Sequence, residues 1–450
     1  MNAFSLSKRE KNQEDSHWGY PALIEFPNKI WGLITEAGIE KDNAASSLKA
    51  SPTESKYLVS WGSAASCETT PWRVVMLGQL SDIVESTLVT DLSPASRIGD
   101  PSWIHPGSAS WIYWAHNHGS KDYKLVKQYI DMAAKLHLPY VLIDWEWDVM
   151  ANGGNITDAL AYAQKKGVKV LLWYNSSTTW TSEDAAGPLF KLNKPEDRER
   201  EFAKLHAMGV AGVKIDFFDG DTQATMEYCI ELLECAARHK LLVNFHGATL
   251  PRGWQRTYPN LVSVEGVYGA EWYNNAPVLT DRAASHNATL PFTRNVVGPM
   301  DYTPCTFSDS QHPHITTHGH ELALTVLFES TVQHLADRPE SYLVQPSEVQ
   351  KFFSELPTTW DETHLLSGYP GQYVVMARRK GLQWFIAGIN GTDEALEVPL
   401  HGELLTLVRN NKGVMYTDSD ETDKQWTIKA IDSLVESIKL QPRGGFVIKL

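Results

Sequence analysis

The residues best equipped for chemistry in this 450-residue chain are carboxylates that close apolar runs. Asp216 ends GVKID and is followed by FFDGD, and Glu265 ends LVSVE. Glu271 follows six residues after Glu265 in GAEWY, beside Trp272 and Tyr273, and Asp144 and Glu146 lie in YVLIDWEWD. Carboxyl groups paired near aromatic rings suit cleavage of a glycosidic bond. One acid protonates the departing oxygen, while a second carboxylate attacks the sugar or activates water on the opposite face. Aromatic neighbours can raise a carboxyl pKa toward the value an acid catalyst needs. Flat rings also stack on sugar C–H faces, and the chain holds sixteen Trp. The competing reading of Asp216 is a strand-end residue capping the next helix, and spacing alone leaves the two level. Asp219 and Asp221 read as solvated or capping.

Positioning such residues requires a scaffold, and the pattern supplies one. From residue 101 apolar strand segments alternate with amphipathic helical ones: SASWIYW, YKLVKQYIDMAAKLHL, YVLIDWEWD, ITDALAYAQKKG, VKVLLWYN, and onward through VAGVKID, LLVNFHG, LVSVEGV, LPFTRNVV and LTVLFES. Alternating β and α segments imply a parallel sheet, and about eight strand segments favour a (β/α)8 TIM barrel over an open sheet. No G-x-G-x-x-G follows the first strand, which argues against a dinucleotide fold. Catalytic groups in a barrel sit at the C-terminal strand ends. That rule selects Asp144, Glu146, Asn175, Asp216, His246, Glu265 and Arg294, and it makes Trp145, His246 and Arg294 candidate sugar contacts. Lys214 shares a strand face with Asp216. It is a candidate for holding Asp216 ionised or binding a hydroxyl, or equally a barrel-interior cation paired with an acid.

The flanks differ from the barrel. Residues 1–100 read as a partial N-terminal β-sandwich, 101–345 as the barrel, 346–360 as a helical linker and 361–450 as an antiparallel C-terminal β domain. The net charge of −14 and the lack of a basic patch argue against nucleic-acid binding. No apolar run is long enough for a membrane span. The polar start MNAFSLSKREKNQED has no signal-peptide core. Four cysteines, with no C-x-x-C pair, predict neither a zinc site nor a disulfide framework. HPHITTHGH is His-rich but lacks zinc-enzyme spacing. DSDETD lacks the central Gly and closing Glu of a calcium loop and reads as a solvated turn.

Six dispersed segments, ITEAG, TPWRVVMLG, SWIHPGSASW, GVKIDFFDGD, NLVSVEGVYGAEW and TTWDET, together resemble glycoside hydrolase family 97 from about residue 18 to the C-terminus. The resemblance implies an N-terminal β-supersandwich, a catalytic (β/α)8 barrel, a C-terminal β domain and dependence on Ca2+. Retaining members carry an Asp nucleophile at the end of the fourth strand, which Asp216 matches. Inverting members use Glu bases on the third and fifth strands, where this chain has Asn175 and the His246–Gly247 pair. The match therefore implies the retaining α-galactosidase branch, with Glu271 as acid/base. It also implies calcium ligation by Glu36, Glu265 and Glu271. The segment before the barrel is much shorter than the family's sandwich, as in an N-terminally truncated member.

The resulting expectation is an exo-acting, calcium-dependent retaining enzyme on α-galactoside oligosaccharides, acting as a monomer. Its family-based location is periplasmic or secreted. Three alternatives stand beside it: an α-glucosidase of the same family, a catalytically impaired sugar-binding fragment, and a metal-dependent lyase or isomerase, for which Lys214 is the one candidate base.

Overall fold

The computed structural model describes residues 2–4, 7–8, 17–50, 57–61, 69–400, 403–420 and 424–450. Cys67 and Asp423 lie outside them. The chain divides into two compact units: Met1–His105 with Leu171–Gly266 and Phe292–Met300, and Pro106–Val170 with Val267–Pro291 and Asp301–Leu450.

In the first unit, which holds strand Lys169–Asn175 from Leu171 onward, four parallel strands lie side by side in the order Lys169–Asn175, Gly212–Asp216, Leu242–Phe245 and Leu261–Val264. Apart from Lys169 every residue in them is buried. Both faces are covered, which is why these segments read as unbroken apolar runs rather than alternating ones. Their register sets Asn175 opposite Asp216. Helix Pro195–Ala207 opens with Pro at its first turn, where the missing N–H costs nothing. Helix Gln223–Arg238 is capped by the Thr222 side chain.

The N-terminal part of this unit holds two antiparallel four-stranded sheets. One joins Asn2–Phe4, Ala22–Phe26, Ile30–Ala37 and Trp72–Gly78. Strand Trp72–Gly78 alternates buried Val74 and Met76 with exposed Val75 and Leu77, the half-covered pattern of an antiparallel sheet.

In the second unit, strands Tyr140–Ile143, Gly107–Trp111 and Val332–Leu335 pair in parallel. Helix Tyr123–Lys135 is capped by Asp122, whose side chain accepts from the Lys124 and Leu125 amides. Helix Ile156–Lys166 has a reciprocal Asn155/Asp158 capping box and stops at Gly167, whose φ of 75° favours glycine. A six-stranded sheet runs in the order Glu362–Tyr369, Tyr373–Lys380, Gln383–Asn390, Gly445–Lys449, Gly413–Asp418, Trp426–Ile431, antiparallel throughout. Val375, Ile386, Phe446 and Ile448 of that sheet pack with Val398, Leu405 and Leu440 into one core. Helix Ser347–Glu355 precedes it. Among the described residues no helix is long and apolar enough to cross a membrane.

Three expectations from the sequence are corrected. LPFTRNVV is not a strand but two short 3-10 turns, Leu290–Phe292 and Arg294–Val297. Pro291 has no N–H to give to a sheet ladder. LTVLFES belongs mostly to helix His318–Leu327, all ten of whose residues are buried, and the strand comes later at Val332–Leu335. An apolar run buried all round carries no periodicity to separate helix from strand. Finally, Asp418 of DSDETD is not a solvated turn residue. It is 6% exposed and accepts from Gly319 N (2.7 Å), Gly445 N (2.9 Å) and Thr317 Oγ (2.7 Å). A carboxylate here meets the positive end of helix His318–Leu327.

This arrangement gives a stability prediction. Asp418→Ala strands buried donors and should lower the unfolding free energy by about 2–4 kcal/mol. Denaturant midpoints should fall accordingly, while Asp432→Ala, removing one side of the exposed Lys412–Asp432 pair, should leave them unchanged. Equal effects of the two substitutions would contradict the buried anchoring role.

Candidate active site

The first unit brings Asp216, Lys214, His246 and Glu265 together at the C-terminal ends of its parallel strands. Asp216 is 9% exposed. Its Oδ1 accepts from the Phe217 amide at 2.8 Å, and its Oδ2 accepts from Trp173 Nε1 at 3.1 Å. Lys214 Nζ, nearly fully buried, stands 3.9 Å from Oδ2. Two directed donors hold the carboxylate in one orientation, with the Lys214 ammonium beside it. The helix-capping reading of Asp216 fails, because Thr222 caps the following helix.

Glu265 lies one residue beyond strand Leu261–Val264 and is also buried. Its Oε2 accepts from the Gly247 amide at 2.7 Å, and His246 Nδ1 is 3.8 Å away. Burial pushes the Glu265 carboxyl above its ordinary pKa, and Asp216 pushes the same way. His246, the Gly247 amide and Lys214 oppose that shift. Gly247 is needed here. Its φ is +48°, and a Cβ would sit 2.8 Å from Phe217 N and 2.9 Å from Asp216 Oδ1. Glycine lets one tight turn touch both carboxylates.

Arg294 belongs to the buried frame. It is 0% exposed, and its guanidinium donates to the carbonyls of Val264, Glu265, Gly298 and Pro299. The expected sugar contact is therefore corrected: Arg294 braces the backbone under Glu265. Burial lowers its pKa to about 9, with the Arg252 charge adding to the effect.

Glu36 also sits differently from the expectation. It is 0% exposed, and its carboxylate is taken up by Arg252 Nε (2.6 Å), Arg73 (3.2 Å) and Ser46 Oγ (2.6 Å) and N (3.1 Å). Arg252 also reaches Asp221 at 3.2 Å and donates to Thr249. Cationic and N–H donors occupy this acid, so its surroundings do not fit a calcium ligand. Instead it clamps strand Ile30–Ala37 to the loop after His246. Gly38 N donates to Arg252 O at 3.0 Å, and Trp254 Nε1 donates to Ile39 O at 2.9 Å. Arg252 was missed in the sequence, where a lone loop arginine has no periodic signal. Glu265 does fit a cation, because it is a hard oxygen donor whose burial leaves negative charge to be offset.

The second unit holds Glu271 on a braced turn. Glu271 is half-buried and leads into the helical turn Trp272–Asn275. Trp114 Nε1 donates to Ala270 O at 2.9 Å, and Asn274 Nδ2 donates to Trp114 O at 2.9 Å. Tyr273 OH reaches buried Glu321 at 3.1 Å. Half-buried Trp272 meets Tyr268 edge-on at 5.1 Å. Asp144 is spent structurally, accepting from Trp111 Nε1 at 2.7 Å and Trp145 N at 2.9 Å. Glu146 pairs with His118 and Lys121. Trp145 is half-buried, stacked on His118 and bonded to Asn117 O through its Nε1. The His-rich run is structural: His318 meets Phe307 O, His320 meets Asn287, and His314 pairs with Asp309.

Similarity to known proteins agrees with this geometry. The profile described as Glycoside hydrolase 97 matches residues 104–267, and those for the family's N-terminal and C-terminal (oligomerisation) regions match 3–94 and 359–450. A protein of Streptomyces bingchenggensis named "Probable retaining alpha-galactosidase" is 41% identical over 345 residues, covering 74% of this chain and 51% of that protein. A retaining alpha-galactosidase of Bacteroides thetaiotaomicron is 31% identical, covering 84% and 59%. The chain thus spans between half and three-fifths of the length of these relatives. The crystal structure of a beta-arabinopyranosidase is similar with a TM-score of 0.88 at 32% identity, covering 96% of this chain and 72% of that one. A family 97 enzyme from Pseudoalteromonas sp. strain K8 gives 0.81 at 23% identity, a likeness of fold. The fold class is accordingly a (β/α)8 TIM barrel with flanking β domains, and the chain belongs to glycoside hydrolase family 97.

Proposed function

We propose that the chain is a calcium-dependent, retaining, exo-acting α-galactosidase acting on α-galactoside oligosaccharides. The observation that carries this reading is the state of Asp216: strand-end, buried, oriented by two donors and faced by Lys214. A nucleophile must be aimed, and those contacts fix its direction. Asp216 attacks the anomeric carbon as Glu271 protonates the leaving oxygen, giving a β-linked glycosyl-enzyme. Glu271 then takes a proton from water, which releases the sugar with its configuration retained. Trp145, Lys214 and His246 are the sugar contacts in this reading. Glu265 and Glu271 would hold Ca2+, which would supply a hard cation for sugar hydroxyls. Glu36, spent on Arg252, is left out of that set. The family-based location remains periplasmic or secreted. The C-terminal match to an oligomerisation region favours an assembly over the expected monomer.

One observation favours a second reading. The beta-arabinopyranosidase likeness is the strongest among the structural comparisons given above. A β-L-arabinopyranoside has the ring configuration of an α-D-galactoside without the hydroxymethyl arm, so one site can suit either. Rates on p-nitrophenyl α-galactoside, β-L-arabinopyranoside and α-glucoside separate these. The proposal requires the galactoside to lead, and a lead by either of the others would replace it.

The metal role gives the next prediction. Chelation should abolish activity, and Ca2+ should restore it better than Mg2+, because a flexible carboxylate site suits the larger ion. Glu265→Gln should weaken apparent calcium affinity more than it lowers turnover at saturating calcium. Full activity of stripped protein in chelator would contradict it.

For Glu271 the leaving group separates acid catalysis from metal ligation. With a low-pKa phenol leaving group, Glu271→Gln should barely slow the first step, and a burst should appear as glycosyl-enzyme accumulates. With a sugar leaving group the loss should reach about 10²–10⁴-fold. Equal losses on both substrates, reversed by high calcium, would make Glu271 a metal ligand only.

A further inference from the structure

We propose that Glu199, Cys235 and His239 form a Zn2+ site on the outer helical layer, separate from the carboxylates of the candidate active site. Cys235 lies in the last turn of helix Gln223–Arg238, and His239 follows that helix. Spaced by four, the two side chains fall on one helix face. Glu199 comes from the facing helix Pro195–Ala207. Its Oε2 is 3.3 Å from Cys235 Sγ, and its Oε1 is 2.7 Å from His239 Nε2. One ligand atom from each residue lies within 4.8 Å of the other two.

Tetrahedral zinc with thiolate and imidazole ligands spaces its donors by about 3.5 Å. The spacings of 3.3 and 2.7 Å, with all three ligand atoms within 4.8 Å of one another, bracket that value. The donor set also selects the ion. Sulfur and imidazole suit zinc, whereas calcium takes oxygen alone. This metal is therefore not the calcium assigned to Glu265 and Glu271.

Exposure is graded as a site needs. Cys235 is 2% exposed, while the side chains of His239 and Glu199 are 17% and 48% exposed. An ion can enter from the Glu199 side and keep water as a fourth ligand. Arg238 now pairs with Glu199 Oε2 at 2.8 Å, but its side chain is 59% exposed and free to turn into solvent. On binding, Cys235 gives its thiol proton to solvent and its sulfur bonds the ion, the His239 ring loses its Nε2 proton to solvent and takes one at Nδ1 so that Nε2 can ligate, and Arg238 and His239 release the Glu199 oxygens. The sequence pattern missed this set because a helix-pair site needs no C-x-x-C.

The test uses the whole protein with Ca2+ in excess, so that the carboxylate site does not compete. Co2+ should give a thiolate-to-metal charge-transfer band, displaced by one equivalent of Zn2+, and Zn2+ should raise the unfolding temperature. Cys235→Ser should lose the band. Glu199→Gln, a change at a half-exposed position, should weaken apparent Zn2+ affinity about tenfold or more while preserving the metal-free unfolding temperature. Absence of the band in native protein, its survival in Cys235→Ser, or unchanged Zn2+ affinity in Glu199→Gln would each overturn the proposal.

Discussion

Asp216 and Glu265 are like charges in a buried setting, and much of the first unit answers that repulsion. Water is largely excluded from both carboxyls, and the Asp216 charge raises the free-energy cost of ionising Glu265. The structure resolves the conflict unequally. Asp216 receives the Trp173 indole, its own following amide and the nearest approach of Lys214. Glu265 receives the Gly247 amide and a more distant His246, and its carboxyl stays raised by burial and by Asp216. An acid left in that condition gains from a nearby cation. That condition supports the calcium proposed beside Glu265.

The scaffold follows from the same constraint. Gly247 serves both acids because it has no side chain, and its turn continues into the loop holding Arg252. Arg252 is buried, and although burial works against its charge, Glu36 and Asp221 hold its pKa up. Replacing either partner would leave a buried charge uncompensated, which costs more than the pair itself contributes. Arg294 braces the other side, under the backbone that leads into Glu265. Neither arginine touches the reaction, yet the loop and strand end that present Glu265 rest on them.

Much of this was legible in the sequence. GVKID, LVSVE and LLVNFHG could be assigned as buried parallel strands because both-face burial leaves continuous apolar runs. Strand-end position then selected Asp216, Glu265 and His246. The misreadings have separate causes. LTVLFES lies mostly in a helix buried all round, which removes the periodicity that tells helix from strand, whereas LPFTRNVV holds Pro291, which cannot give an N–H to a ladder. Arg294 was chosen by position on that misread strand. Glu36 carries a motif resemblance, but its partners Arg252 and Arg73 are distant in sequence, so its ion pairing was not readable. The Glu199–Cys235–His239 set is hidden for the same reason, because its ligands come from two helices.

The central claim is that Asp216 acts as a nucleophile, which fixes the stereochemical outcome. Proton NMR of an α-galactoside digest, recorded before the free sugar mutarotates, reads it directly. Double displacement through Asp216 predicts that α-galactose appears first and the β-anomer grows in afterwards. Initial release of β-galactose would mean a single displacement by water, and Asp216 could not then be the nucleophile.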